Sequence, residues 1–174
     1  PAFDYAHNFT GAVARVQSNK RFSLIDNSGK TITAKSFDFI SQYNDGFAII
    51  ETDNKKGLIN GQGKVIMEPT YTFIGPFKEG FASVQSNGKW GFISMQGTLD
   101  IPMLYDAVKD FSEGFAAVQQ KSSWGFIGTD GTVRIPLQFA DVQAFYRGKT
   151  TVTTAIKNST ALTKNIDRLG RFTR

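Results

Sequence analysis

The chain contains no cysteine, a single histidine (His7), two tryptophans and five prolines among 174 residues. Without Cys there is no disulfide, no thiolate nucleophile and no Cys-based zinc site. The compartment stays open, because oxidising and reducing compartments both hold Cys-free chains. A Ser-His-Asp triad or a His-rich metal site would have to be built on His7 alone. No apolar run approaches the ~20 residues of a membrane-spanning helix, so the chain reads as soluble. No leader peptide is visible, although a chain that starts at Pro1 is compatible with a trimmed form. Gly spacing never produces a Gly-Lys-Ser/Thr phosphate loop, and the oxygen spacing of a calcium hand is missing around Asp130-Gly131 and Asn60-Gly61. No cofactor and no metal site is expected.

What is abundant is Phe, at 16 residues, and Gly, at 17, a pairing suited to many short strands joined by tight turns. The aromatics fall on a fixed period of 34. Phe3, Phe37, Tyr71, Tyr105 and Phe139 form one series, and Phe9, Tyr43, Phe77, Phe111 and Phe145 a second. A fixed period of this size marks a supersecondary unit copied and stacked. The copies run approximately 3–36, 37–70, 71–104, 105–138 and 139–174, the last divergent, and together they read as a single repeat domain over 1–174.

One copy can be read as physics. Phe81–Ser86 and Lys89–Ser94 flank Asn87-Gly88, a strong signal for a hairpin whose turn takes positive φ at both positions. Folding there sets Val84 against Gly91, Ala82 against Ile93, Gln85 against Trp90 and Ser83 against Phe92. Ala82, Val84, Gly91 and Ile93 share one face; Phe81, Trp90 and Phe92 share the other. Both faces are partly apolar, which predicts packing on both sides. Gly91 in mid-strand predicts a bulge or the close approach of another backbone.

The hairpin recurs around Asn19-Lys20, Asp53-Asn54 and Lys121-Ser122. A second turn follows, ending in Gly29, Gly63, Gly97 or Gly131. A third short strand comes next: Thr31–Thr33, Val65–Met67, Leu99–Ile101 or Val133–Ile135. Pro69, Pro102 and Pro136 are expected to stop it, since Pro cannot donate to a ladder. The connector then carries apolar residues three apart, as in Tyr105, Val108 and Phe111. That spacing predicts one 3₁₀ turn tucking an aromatic stripe under the sheet.

The aligned Lys89-Trp90-Gly91-Phe92-Ile93 and Ser123-Trp124-Gly125-Phe126-Ile127, followed by Gly97 or Gly131, Ile-Pro, Tyr105-Asp106 and Phe-x-Glu-Gly-Phe-Ala, resemble the bacterial WG-repeat (Trp-Gly beta repeat) family. The resemblance covers roughly residues 3–152. Copies three and four match at almost every motif position. Copy two keeps Lys56-Gly57-Leu58-Ile59 without the Trp, and copy one has Phe22-Ser23 in its place. Copy five departs after Val152, and Ile166–Gly170 fits the second turn only with about five residues inserted before it. The resemblance implies a bacterial, all-β tandem repeat and no reaction. Such repeats occur in envelope and secreted proteins and beside toxin systems, so the localisation stays unknown.

Three strands in 34 residues, with degenerate outer copies, favour an open twisted array or solenoid over a small propeller-like ring. Trp90, Gly91, Trp124 and Gly125 read as structural repeat residues, with sugar stacking as the competing role for the tryptophans. Glu79, Glu113 and Asp45 recur before the turn Gly. Their recurrence at the copy period favours turn and solubility roles over glycosidase acids.

Charge is uneven. Residues 1–146 hold 13 Lys+Arg and 14 Asp+Glu, while residues 147–174 hold seven basic residues against Asp167 alone. This basic end supplies the candidate binding residues Arg147, Lys149, Lys164, Arg168 and Arg171. Ala161–Leu169 is open between strand, short helix and loop. Nucleic acid is disfavoured, because only Phe172 accompanies the positive charge as a stacking group. The sequence therefore reads as a non-enzymatic scaffold for protein–protein binding, with a neutralising partner of a toxin as one version. The alternative is a glycan or cell-wall binding module.

Overall fold

The computed structural model describes residues 3–44, 46–154 and 161–173. All regular structure in these residues is β. Copy one forms β1 (Tyr5–Ala6), β2 (Val13–Ser18) and β3 (Arg21–Asp26). Copy two forms β4 (Phe39–Ile40), β5 (Phe47–Thr52), β6 (Lys55–Asn60) and β7 (Val65–Tyr71). Copy three forms β8 (Phe73–Lys78), β9 (Phe81–Ser86), β10 (Lys89–Ser94) and β11 (Leu99–Tyr105). Copy four forms β12 (Ala107–Val108), β13 (Phe115–Gln120), β14 (Ser123–Gly128) and β15 (Val133–Val142), and copy five adds β16 (Lys149–Thr154), β17 (Thr163–Asp167) and β18 (Phe172–Thr173). Neighbouring strands pair antiparallel in chain order, and four sheets result because β15 serves both copies four and five. The chain is thus an all-β tandem repeat. Its backbone divides into two compact units, Pro1–Ile74 and Gly75–Arg174.

The hairpins form in the expected register. Val84 faces Gly91, Gln85 faces Trp90 and Ser83 faces Phe92. Both turn residues take positive φ: Asn87 50° and Gly88 75°, with the same pattern at Asn19-Lys20, Asp53-Asn54 and Lys121-Ser122. That is the mirror-image turn matching the twist of the two strands.

Three expectations are corrected. The connectors are short strands, not 3₁₀ turns, and each adds a first strand to its copy's sheet. Copies two to four therefore contribute four strands apiece, and the strand count that disfavoured a ring no longer does so. In β15 a register shift between Phe139 and Asp141 explains the three-residue spacing. One extra residue at such an irregularity lets Phe139 and Val142 turn the same way, which strict alternation forbids. The prolines do not stop the third strand: β7, β11 and β15 run through Pro69, Pro102 and Pro136. In β11 the pairing jumps from Phe92↔Ile101 to Trp90↔Tyr105, so Pro102 lies in a bulge where the ladder asks for no N–H. Finally, Thr31–Thr33 is not a strand; only an isolated bridge, Ile25↔Thr31, marks its place.

The same bulges account for the mid-strand glycines. A Cβ on Gly91 would lie 2.5 Å from the Ile101 carbonyl oxygen, and one on Gly125 2.6 Å from that of Ile135. Any side chain there collides with backbone.

Adjacent residues such as Phe92 and Ile93 are both buried, so the sheets pack on both faces. In the second unit, Phe92, Ile101 and Tyr105 pack with Ala116, Val118 and Ile127 of copy four. The opposite face of copy four, Ala117, Phe126 and Ile135, packs with Val152, Ile166 and Phe145 of copy five. In the first unit, Leu24 of copy one packs with Ala48, Ile50 and Ile59 of copy two. Each such large apolar side chain contributes about 1.5–3 kcal/mol by leaving water.

Copy five keeps the plan despite its divergence. Ala161–Leu169 resolves as β17 flanked by loop, and the Gly170 amide donates to the Asp167 carbonyl at 2.9 Å. The same bond closes the second turn at Gly97 and Gly131. The inserted residues, 155–160, lie outside the described residues, as do Asp45 and Arg174.

Candidate functional site

The first unit carries a row of exposed aromatics that the sequence reading did not single out. Tyr5 is 56% exposed, Phe39 45% and Phe73 42%, and they occupy one repeat position at the period of the chain. In copies two and three the ring stands exposed between two buried residues, Phe37 and Ile40 or Tyr71 and Ile74. Copies four and five have Ala107 and Asp141 there, so the row belongs to the first three copies.

The rings interlock. Tyr5 meets His7 edge-on at 4.8 Å, His7 stacks on Phe22 at 6.4 Å, and Phe22 meets Phe39 edge-on at 5.9 Å. His7 is held by Arg15, whose guanidinium reaches the imidazole Nδ1 at 3.3 Å and the Ile40 carbonyl at 2.8 Å. Desolvation, and then the Arg15 charge, lower the His7 pKa, which favours the neutral ring at physiological pH.

His7 thereby covers the ring at the Trp position of its own copy. Its counterpart in copy four, Lys109, does the same with a different chemistry: the ammonium lies 5.3 Å from the centre of the Trp124 ring. Trp90 and Trp124 are half-buried and lie against the apolar clusters of copies three and four. In copy two the position is Lys56, and the residue opposite it changes from Gln to Glu51. The two form an ion pair at 3.2 Å, where copies three and four set Gln85 against Trp90 and Gln119 against Trp124.

Recurring carboxylates are absorbed in holding copies together. The Glu79 carboxylate accepts the amides of Glu113 and Gly114 at 2.7 and 2.8 Å. The Glu113 carboxylate accepts those of Arg147 and Gly148 at 2.5 and 2.8 Å, and also the Arg168 guanidinium at 2.8 Å. Arg168 first, then the two amides, hold Glu113 below the usual carboxylate range. At the hairpin tips, Asp38 pairs with Arg21 of the previous copy and accepts the Asp53 amide at 2.8 Å. Asp106 repeats this with Lys89 and the Lys121 amide, and its carboxyl is likewise held low, chiefly by Lys89.

The predicted basic residues sit on β16–β18 and their turns, but not as one free patch. Arg168 is engaged with Glu113, and Arg171 with Asp167 at 2.7 Å. Arg147 lies over the Tyr146 ring at 5.1 Å and Lys164 over the Phe172 ring at 4.9 Å. Lys149 is exposed opposite Asp167.

Antiparallel sheets that recur at the copy period, with side-chain bonds from copy one to copy two and from copy three through copy five, define a tandem β-repeat scaffold. The WG containing repeat matches at residues 22–55, 57–90, 90–122 and 124–154, and the chain belongs to that family. These matches begin at or beside the Trp position of each copy, a different phase of the same period.

No curated protein matches the chain. Among solved structures, it is similar to Hsv2 of Kluyveromyces lactis with complete loop 6CD, at 10% identity over 94% of this chain and 58% of that one, with a TM-score of 0.48. It is similar to PorZ, a surface component of the type-IX secretion system of Porphyromonas gingivalis, at 9% identity over 88% of this chain and 25% of that one, with a TM-score of 0.36. A eukaryotic initiation factor gives 12% identity over 99% and 56% of the two chains and a TM-score of 0.40. The chain spans less than two thirds of each of these structures.

Proposed function

We propose that this chain is a non-enzymatic repeat scaffold that binds another protein, with the aromatic row Tyr5, Phe39 and Phe73 as its principal contact. The row carries the reading. Large exposed rings at a fixed repeat position add nothing to the core of their own copy, and such rings are enriched at the centres of protein interfaces. Tyr5 and Phe39, linked through His7 and Phe22, make a ridged surface that suits partner side chains better than a flat sugar face, which favours a protein over a glycan. Glu79 and Glu113, two of the recurring carboxylates that a glycosidase would need, are engaged with turn amides, which supports a scaffold.

The basic end, with Arg147, Lys149 and Lys164, supplies a second contact that steers an acidic partner at long range. Trp90, Gly91, Trp124 and Gly125 are structural in this reading. A toxin neutralised by the scaffold is one version of the partner.

The test is a variant with Tyr5, Phe39 and Phe73 all replaced by Ser, compared with the parent in capture from lysate and in pelleting with peptidoglycan. The reading expects a protein captured by the parent and lost by the variant, with melting unchanged. Wall binding that depends on the row, without protein capture, would establish the glycan module instead.

A further inference from the structure

We propose that the groove beside the irregular end of copy one is a receptor for a small apolar carboxylate. In copies three and four the third strand carries Met103 and Leu137 at one repeat position, both half-buried and apolar. Copy one has Lys35 there and no third strand. Phe22 bridges to Phe37, and the Ile32 amide donates to the Leu24 carbonyl at 2.9 Å, but residues 33–36 form no ladder. Thr33 stands where copies three and four bury Ile101 and Ile135. Its hydroxyl accepts the Leu24 amide at 3.4 Å, a local bond of the kind that competes with strand pairing.

Lys35 turns away from the place an apolar residue would fill. Its ammonium reaches Glu68 of copy two at 2.7 Å and lies 5.9 Å from the centre of the Phe37 ring. A groove of about 370 Å³ is bordered by Ile32, Phe37 and Val65, with Lys35, Lys64 and Glu68 around them. That is the size of a small-molecule site. Its floor is the apolar cluster shared by copies one and two: Phe37 belongs to the cluster, and Ile32 and Val65 pack against it.

Charge selects the ligand. Lys35 and Lys64 share one carboxylate, Glu68, and the Lys64 ammonium has no acceptor among the described residues. Beyond the ion pair a second groove, of about 300 Å³, adds Lys55, also without an acceptor among the described residues, beside Asp53 and an Arg21 held by Asp38. The Lys35–Glu68 pair is more than half exposed on both sides, and such a pair is worth little, so an incoming carboxylate can share Lys35 at small cost. An apolar body in the groove with its carboxylate on Lys35 and Lys64 uses both features. A neutral apolar molecule leaves the cations idle. The occupant is a free acid, since a groove of this volume takes a whole small ligand rather than an extended chain.

The experiment titrates the full chain with sodium octanoate, and in separate arms with sodium acetate and with 1-octanol, followed at the backbone amides by NMR. A saturable octanoate shift at Thr33, Gly63 and Val65 is expected. Gly97 and Gly131, the equivalent turns of the second unit, stay unmoved, and acetate and octanol act about tenfold more weakly. The response is lost in Lys35→Met, which restores the residue of copy three. It strengthens several-fold in Glu68→Gln, a change at an exposed side chain that frees Lys35. No shift at these amides, shifts spread through both units, an equal response to octanol, or an undiminished response in Lys35→Met overturns the site. Should Lys35→Met fail to fold, Glu68→Gln carries the test, and an unchanged or weaker response there overturns it. An acetylated peptide ending in Leu that moves the same amides more strongly than octanoate overturns the free acid in favour of a protein terminus. None of these outcomes bears on capture through the aromatic row.

Discussion

Glu79 and Glu113 stand 34 residues apart and are joined directly: the carboxylate of the first accepts the backbone amide of the second at 2.7 Å. Glu113 then passes the same contact forward to Arg147. The series ends there, because position 147 is an Arg and has no carboxylate to offer. In the second unit this series supplies one carboxylate contact per copy, beside the Lys89–Asp106 pair and the bonds that Lys109 and Ser112 donate to the Val142 and Phe145 carbonyls.

Removing a link should loosen the next turn selectively. In Glu113→Ala, amide exchange at Gly148 should accelerate while Gly114, held by Glu79, keeps its protection. Hydrogen exchange read residue by residue checks this. Equal acceleration at both would mean the contact is not local.

Acid should weaken the fold. Asp106, Glu113 and Asp167 are all held below the usual carboxylate range, by Lys89, Arg168 and Arg171 respectively before their amide partners. A folded pKa below the unfolded one contributes stability that is present above the unfolded value, about 4, and lost as pH falls through the folded value. Urea midpoints should therefore hold from pH 7 to 5 and drop below pH 4. Asp106→Asn with Glu113→Gln should flatten that drop and lower the midpoint at pH 7.

Gly91→Ala and Gly125→Ala should each cost about 2–3 kcal/mol or more, as an overpacked site must displace backbone. Chemical denaturation measures it. Gly88→Ala, at an open turn position, tests φ strain alone and should cost about 1 kcal/mol.

The Glu51–Lys56 ion pair replaces the Gln–Trp pair of the matching copies, and both residues are partly buried. Lys56→Trp alone leaves Glu51 without its cation. Adding Glu51→Gln should recover about 0.5–1 kcal/mol, read as the coupling in a double-mutant cycle. Additive single effects would show that the two positions do not act together.

Trp124→Ala should cost about 2–4 kcal/mol, toward the lower end for a core aromatic because the ring is half-buried. Lys109→Met keeps the aliphatic stem over the ring and should cost less than about 1 kcal/mol. Thermal melts of both variants check the order.

The hairpins were legible because Asn-Gly and its relatives act locally: turn and register are set within 14 residues of sequence, from Phe81 to Ser94. The buried identity of Phe37, Tyr105 and Phe139 was legible from the period. The connector conformation was not. A bulge gives the same three-residue apolar spacing as a 3₁₀ turn, and only the pairing of Asp141 with Thr153 distinguishes them. Pro102 misled for a similar reason, since its cost to a ladder vanishes inside a bulge. The role of Glu79 was half visible, as a turn residue; that it serves the following turn requires the stacking of copies. The aromatic row was overlooked because Tyr5, Phe39 and Phe73 stop at copy three, while the aromatic series of Phe37 and of Phe111 run the whole chain. Its signal was there, as a period-34 aromatic absent from Ala107 and Asp141.

The most direct test of the scaffold reading places a photo-crosslinking residue at Phe39, in the middle of the row, and a second at Leu104, an exposed apolar position in the other unit. The account predicts one discrete protein adduct from position 39, weakened by Tyr5→Ser, and none from position 104. Protein adducts of equal yield from both positions, or adducts to polysaccharide alone, would contradict it.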